Sequence, residues 1–257
     1  MGSVITTHLI NGDPQGIRRV FMKNKTCEMY VIPRTLLSDA KNSPALRLNQ
    51  PGIYILLEDL NSYYESKPKA YIGHAEDVGV RLDQHSNNEK KEFFEYVLVF
   101  VSTDRSINKA DVQYLEYHAI KAAKEVGRFD MSPNSVNGTL PHLSPDQVDV
   151  MDEFKQFVWT LTSFAGCKIF LPPVSGSSVG SPEEKPLFYL HYSGVCGTAL
   201  YGNGEMVVQK GSELNPKTVT SAHPEKRAKA LSGLYDVIDG KLILKEDKVF
   251  NSPSSAA

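Results

Sequence analysis

The chain has 257 residues, 41% of them hydrophobic, and a formal net charge of −2. That is enough apolar material for a sizeable core and for more than one domain. The near-neutral charge gives no global sign of nucleic-acid binding, and no apolar run approaches the roughly 20 residues that span a bilayer.

The N-terminus, "MGSVITTHLINGD", lacks the basic-then-apolar pattern of a signal peptide. The cysteines Cys27, Cys167 and Cys196 lie far apart and form no CxxC pair. Reduced, mostly buried thiols in a cytoplasmic protein without a thiolate zinc site are expected.

In chain order, residues 4–10 and 27–32 read as strands around the turn formers "NGDPQG". "PRTLLSDAKN" predicts a short helix. "GIYILLE" and "KAYIG", over 52–58 and 69–73, are β-branched and aromatic strand runs. "DVGVRLDQH" changes to helical spacing, with Asp77 as its cap. "FFEYVLVFVS" at 93–102 is the strongest strand of the sequence, and 108–126 the strongest helix, capped by Asn108 and stopped by Gly127. A second long helix fits 144–166, with Ser144 as N-cap and Pro145 in the first turn.

The stretch 172–186, rich in Pro, Gly and Ser, has the composition of a linker. Beyond it, strands alternate with Gly turns. "GNGE" at 202–205 reads as a hairpin tip, "HPEKRAKALSGL" as a helix, and "LYDVIDGKLILKEDKVF" as a hairpin turning at "DG". The expected domains are an N-terminal β-rich extension over 1–48, a central domain over 49–171, the linker, and a small α+β domain over 187–257.

Charge is distributed unevenly. Residues 1–50 carry seven Lys/Arg against three Asp/Glu, a net of +4, whereas residues 51–171 carry 12 against 18, a net of −6. Residues 172–257 balance at nine and nine. An acidic central domain counts against broad phosphate neutralisation, so any nucleic-acid face must be local.

On the helix over 108–126, Val112, Leu115, Ala119, Ile120, Ala123 and Val126 form one apolar stripe. Glu116 lies inside that stripe, one turn from Val112 and from Ile120. A carboxylate there is costly unless it meets a cation or a hydrogen-bonding partner. The plainer reading is a stripe-edge Glu paired with a Lys. The sharper one is a ligand for Mg²⁺, which takes few carboxylates and keeps several waters. Arg81 and His85 are four apart and share a helix face. They read either as a solvated surface or as a guanidinium and an imidazole facing a phosphate. Tyr54 and Tyr71 are, taken singly, ordinary strand aromatics.

Taken in order, "GIY" on a strand, "YIG" on the next, Arg81 with His85 in the following helix and Glu116 in a later one resemble the GIY-YIG endonuclease superfamily over roughly residues 50–140. The 16-residue spacer between the triplets (55–70) is longer than typical. The family also uses an Asn after the Glu helix. Asn137 is the first choice here and Asn134 its rival. The C-terminal region resembles a small domain of unknown function found appended to such nucleases.

The resemblance implies an α/β sandwich, a three-stranded antiparallel sheet flanked by helices, followed by the small α+β domain. It implies Mg²⁺- or Mn²⁺-dependent hydrolysis of DNA phosphodiesters, in defence or DNA processing. The expected catalytic residues are Tyr54, Tyr71, Arg81, His85, Glu116 and Asn137, with Glu116 as metal ligand. Tyr54 is favoured as the base and Tyr71 as a positioning group, with Arg81 on the phosphate and His85 orienting a Tyr or accepting its proton. The competing reading is a catalytically decayed module that binds nucleic acid or a partner. No Walker motif or dinucleotide-binding Gly pattern supports a metabolic enzyme.

Overall fold

The computed structural model describes residues 2–58, 67–134, 138–172, 187–192, 194–202, 205–216, 231–250 and 253–256. The chain divides into two compact units, the first running to Leu171 and the second beginning at Pro172. The expected linker from 173 onward and most of the expected helix over 223–234 lie outside the described residues.

The first unit is built on one six-stranded sheet. Its strands are β1 (Ile5–Leu9), β2 (Arg18–Met22), β3 (Cys27–Pro33), β4 (Gly52–Leu57), β5 (Ala70–Ala75) and β6 (Tyr96–Ser102). Their order is β1-β2-β3-β6-β4-β5, and every neighbouring pair is antiparallel. The expected three-stranded sheet is therefore only the β6-β4-β5 half of a larger one. Residues 1–48 are not a separate extension of that sheet: they supply its other three strands. The join is tight, because Cys27 through Pro33 pair one for one with Ser102 through Tyr96.

The helices are α1 (Leu37–Asn42), α2 (Val78–Ser86), α3 (Lys109–Val126) and α4 (Pro145–Phe164). Strand alternation sorts the core into two layers. Ile53, Ile55, Leu57, Ile72, Leu98 and Phe100 pack with Leu115, Ala119 and Ile120 of α3 and with Phe154 and Val158 of α4. Tyr54, Leu56, Val97, Val99 and Val101 face the opposite way, towards Leu37 and Ala40 of α1 and Val78 and Leu82 of α2.

Caps fix the helix starts that matter for the site. The Asp77 carboxylate accepts from the Val80 N–H at 2.9 Å. Asn108 and Asp111 form a reciprocal capping box, and Gly127 ends α3 in the left-handed region at φ 66°. At α4 the Pro stands in the first turn as expected, but the Ser144 side chain makes no cap bond.

A buried ionic cluster ties the N-terminal strands together. Glu28 is fully buried, accepts a hydrogen bond from Arg19 Nε–H at 2.7 Å, and accepts another from the Tyr30 hydroxyl. The Tyr30 oxygen in turn accepts from the Arg47 N–H at 3.0 Å. A carboxylate without water is tolerable only with such partners.

Among its described residues the second unit carries two antiparallel sheets. One contains β7 (Leu187–Tyr192), β8 (Val195–Gly202), β9 (Glu205–Val208) and β13 (Lys248–Phe250) in the order β13-β9-β8-β7. The other is β10 (Glu213–Leu214), β12 (Lys241–Leu244) and β11 (Tyr235–Ile238) in the order β10-β12-β11. Asp239 and Gly240 link β11 to β12 with φ of 50° and 77°. That pair of positive angles is the geometry of a two-residue hairpin turn, which explains the "DG". Ala199, Met206, Val208 and Leu244 form the core of this unit. Among the described residues no helix is long and apolar enough to cross a membrane.

Candidate active site

The two triplets lie side by side. In the β4–β5 pair Tyr54 stands opposite Gly73, and Leu56 opposite Tyr71. The Tyr54 and Tyr71 rings are on one face of the sheet, with centroids 6.3 Å apart. Both glycines are there for close approach. A Cβ on Gly73 would lie 2.6 Å from Tyr54 Cζ, so the phenol rests on bare backbone. A Cβ on Gly52 would lie 2.7 Å from the Phe100 carbonyl oxygen and 2.8 Å from Val78 Cγ2. No side chain fits at either place.

The helix capped by Asp77 brings Arg81 and His85 over the same two rings. Tyr54 Oη lies 2.7 Å from His85 Nε2. The His85 ring stands 5.4 Å from the Tyr54 ring and 5.5 Å, edge-on, from the Tyr71 ring. Burial is the main influence on the electrostatics. His85 is only 4% exposed, and burial, then the charges of Arg81 and Lys91, push its pKa down to about 4. It is a neutral imidazole at neutral pH. Burial also raises the pKa of Tyr54, assisted by Tyr71 and opposed by Arg81. Tyr71 is raised by burial and then by the Glu116 carboxylate, again opposed by Arg81. The Arg81 guanidinium interacts with both phenols, which raises its own pKa. One of its Nη atoms donates to Gln84 Oε1 at 2.9 Å.

Glu116 reaches the site from the other side of β5, where the sheet ends. Its side chain is 14% exposed, and Oε2 lies 2.9 Å from Nδ1 of His74. The approach is close but not aligned as a hydrogen bond, since the buried Nδ1 makes none. Thus the nearest described partner of Glu116 is His74, not Arg81 or a tyrosine, although its charge is felt at Tyr54 and Tyr71. The arrangement straddles an edge strand: Tyr71 projects to the α2 side and His74, three residues on, to the α3 side.

Asn134 holds that strand in place. Its Oδ1 accepts from the Ile72 N–H at 2.8 Å and its Nδ2 donates to the Ile72 carbonyl at 2.7 Å. Nearby, Ala70 N–H donates to the Asp130 carbonyl at 3.1 Å, and Asp130 N–H to that of Pro68 at 2.9 Å. The outer edge of β5 is therefore closed by side chain and backbone together. Asn134 is 6% exposed and acts on the strand, not on the tyrosine side chains. Asn137 lies outside the described residues.

Two residues at the site carry no sequence signal of the kind that marked the others. His74 directly follows "YIG", and strand alternation alone puts it on the side opposite Tyr71. Lys91 sits in a single 3-10 turn, Glu89–Lys91, with Nζ 3.0 Å from the centroid of the Tyr71 ring. Burial and then the Arg81 charge lower its pKa to about 8.

Among the described residues no three His, Cys, Asp or Glu side chains cluster as a metal cage. The donor set still fits a water-rich divalent ion. Glu116 offers one carboxylate, and Gly138 leaves open the space in which a Cβ would come within 3.0 Å of Glu116 Oε2. Mg²⁺ is commonly bound through one or two carboxylates, waters and substrate phosphate oxygens. In comparisons with known proteins, no family model, no curated protein and no solved structure matches the chain.

Proposed function

We propose that the first unit is a divalent-metal-dependent endonuclease of the GIY-YIG type that hydrolyses phosphodiester bonds in DNA. The observation that carries this reading is the 2.7 Å contact between Tyr54 Oη and a neutral, buried His85, with Arg81 interacting with both phenols.

The chemistry follows from those groups. Arg81 binds a non-bridging oxygen of the scissile phosphate and offsets charge that grows there during attack. A phenol with a raised pKa is a poor base alone. Tyr54 instead relays: it takes a proton from the attacking water as its own hydroxyl proton passes to His85 Nε2. The water oxygen forms the new bond to phosphorus, the bond to the leaving oxygen breaks, and that oxygen takes a proton from solvent. Tyr71, backed by Lys91, positions the phosphate beside Arg81. Glu116 would hold Mg²⁺ or Mn²⁺, which supplies charge neutralisation at the phosphate oxygens. Its location at the strand edge lets the carboxylate and the phenols serve one phosphate from two sides.

Cleavage of plasmid and of oligonucleotides with Mg²⁺ or Mn²⁺, against an EDTA control, tests the proposal. Metal-dependent cutting that is lost in Glu116→Gln is the expected result. Binding without cutting under every metal condition replaces the nuclease by the decayed binding module.

A further inference from the structure

Beside Tyr71 the sheet edge opens into a cleft of about 500 Å³. Its walls include Lys69, Lys91, Asn88, Phe93 and Ser132. Lys69 immediately precedes β5 and, two residues from Tyr71, shares its face. Lys91 joins the cleft to the site, because the same ammonium lies on the Tyr71 ring. Among the described residues neither ammonium makes an ion pair with a carboxylate. Lys69 is exposed while Lys91 is half-buried, so the field of Lys91 is less screened by salt.

Resting on the nuclease reading, we propose that this cleft is a second phosphate subsite. In it Lys91 and Lys69 bind the backbone of the DNA strand next to the phosphate held by Arg81. Lys91 on the Tyr71 ring and Lys69 in the same cleft put two cations beside the site. Residues 51–171 carry a net of −6, so a local group of cations of this kind is what lets that stretch hold a polyanion. Burial, and then repulsion by the Arg81 guanidinium, lower the pKa of the half-buried Lys91 ammonium. A phosphodiester bridging Lys91 and Arg81 relieves the repulsion between them. Phe93, half-buried in the cleft wall, offers an apolar surface to the sugar or base of the same nucleotide. Glu89 and Glu92 also line the cleft but are exposed, which leaves them hydrated and screened.

Titrating the full chain with a labelled DNA duplex over a series of salt concentrations tests the subsite. Glu116→Gln in every sample prevents cutting. Lys91→Gln and Lys69→Gln are each expected to weaken binding and to reduce the slope of log K against log[salt] by roughly 1. Lys91→Arg should keep the slope, which separates charge from packing on Tyr71. With Glu116 intact, Lys69→Gln should raise KM and leave kcat within about threefold, because Lys69 does not touch the reacting atoms. Unchanged affinity and slope in both Gln variants, while the parent chain still cuts DNA, overturns the subsite and leaves the nuclease reading standing. A fall in kcat alone with an unchanged slope also overturns it. A parent chain that neither binds nor cuts DNA removes the nuclease reading and the subsite with it.

Discussion

The Tyr54 ring lies directly on the α-carbon of Gly73, its partner across the strand pair, so that a methyl group there would lie 2.6 Å from Cζ. The last letter of "YIG" is thus a steric requirement of the last letter of "GIY". Gly73→Ala is expected to force the ring out and break its contact with His85. The cost should be about 1–3 kcal/mol of stability, as for overpacking of a core, together with loss of cleavage. Urea denaturation and a plasmid assay check both. Gly138→Ala is the contrast. Its new methyl would meet the end of the flexible Glu116 side chain at 3.0 Å, so the metal requirement should rise while stability changes little.

Tyr54→Phe removes the hydroxyl that the proposed mechanism uses as a relay and leaves His85 Nε2 without its buried partner. Cleavage should slow by roughly 10²–10⁴-fold, the range of general acid–base catalysis. Stability should fall by about 1–3 kcal/mol for the stranded acceptor or donor. Tyr71→Phe should show a smaller loss in rate. Single-turnover cleavage, together with chemical denaturation, resolves the two. Arg81→Lys should also cut poorly, because an ammonium lacks the planar fork of guanidinium.

His85 makes stability depend on pH in a particular direction. Its pKa falls from 6.5 when free to about 4 when folded, so the unfolded chain takes up a proton first. The stabilisation is complete above pH 6.5 and is lost as pH falls towards 4, by on the order of 2–3 kcal/mol. Denaturation curves at pH 7 and near pH 4 should therefore differ less in His85→Gln than in the parent. Equal pH sensitivity of the two proteins would show that the imidazole is not held neutral.

Asn134→Ala should strand both the N–H and the carbonyl of Ile72. An expected cost of about 2–4 kcal/mol follows from two unsatisfied backbone groups, and the Ile72 amide should exchange with solvent much faster. Asn134→Asp keeps the acceptor but turns an oxygen towards the Ile72 carbonyl, so it should not rescue. Hydrogen exchange followed by NMR reads the effect at Ile72 directly.

Local chemistry made much of this fold legible. The caps at Asp77 and Asn108, the stop at Gly127 and the unbroken apolar run of β4 are short-range signals, and the structure has them where the sequence puts them. β2 was not legible. "RRVFM" has a single fully buried residue, Val20, and two arginines. Its strand character comes from neighbours β1 and β3, and from Arg19 reaching Glu28. The size of the sheet is likewise a long-range property, set when β3 pairs with β6 across more than sixty residues of chain. At the site, Tyr54, Tyr71, Arg81 and His85 share one small neighbourhood. The departures are His74, Lys91 and the true partners of Asn134, each defined by a contact between separate segments. Nothing in the composition of "NNEKKEFF" marks Lys91 as a neighbour of Tyr71.

The pairing of β3 with β6 also bears on how this protein can be dissected. A fragment trimmed to start near residue 49, to match the resemblance, would lose every partner of "YVLVFVS" on one side. That strand is almost entirely buried in the intact chain. Seven residues of apolar, β-branched backbone would then present unpaired N–H and carbonyl groups to any other chain, which is the template on which strands from separate molecules stack. By covering that strand, the first 48 residues should act as the fold's own shield against self-association: a central domain shortened to begin near residue 49 should be recovered as aggregate while the 257-residue chain stays dispersed.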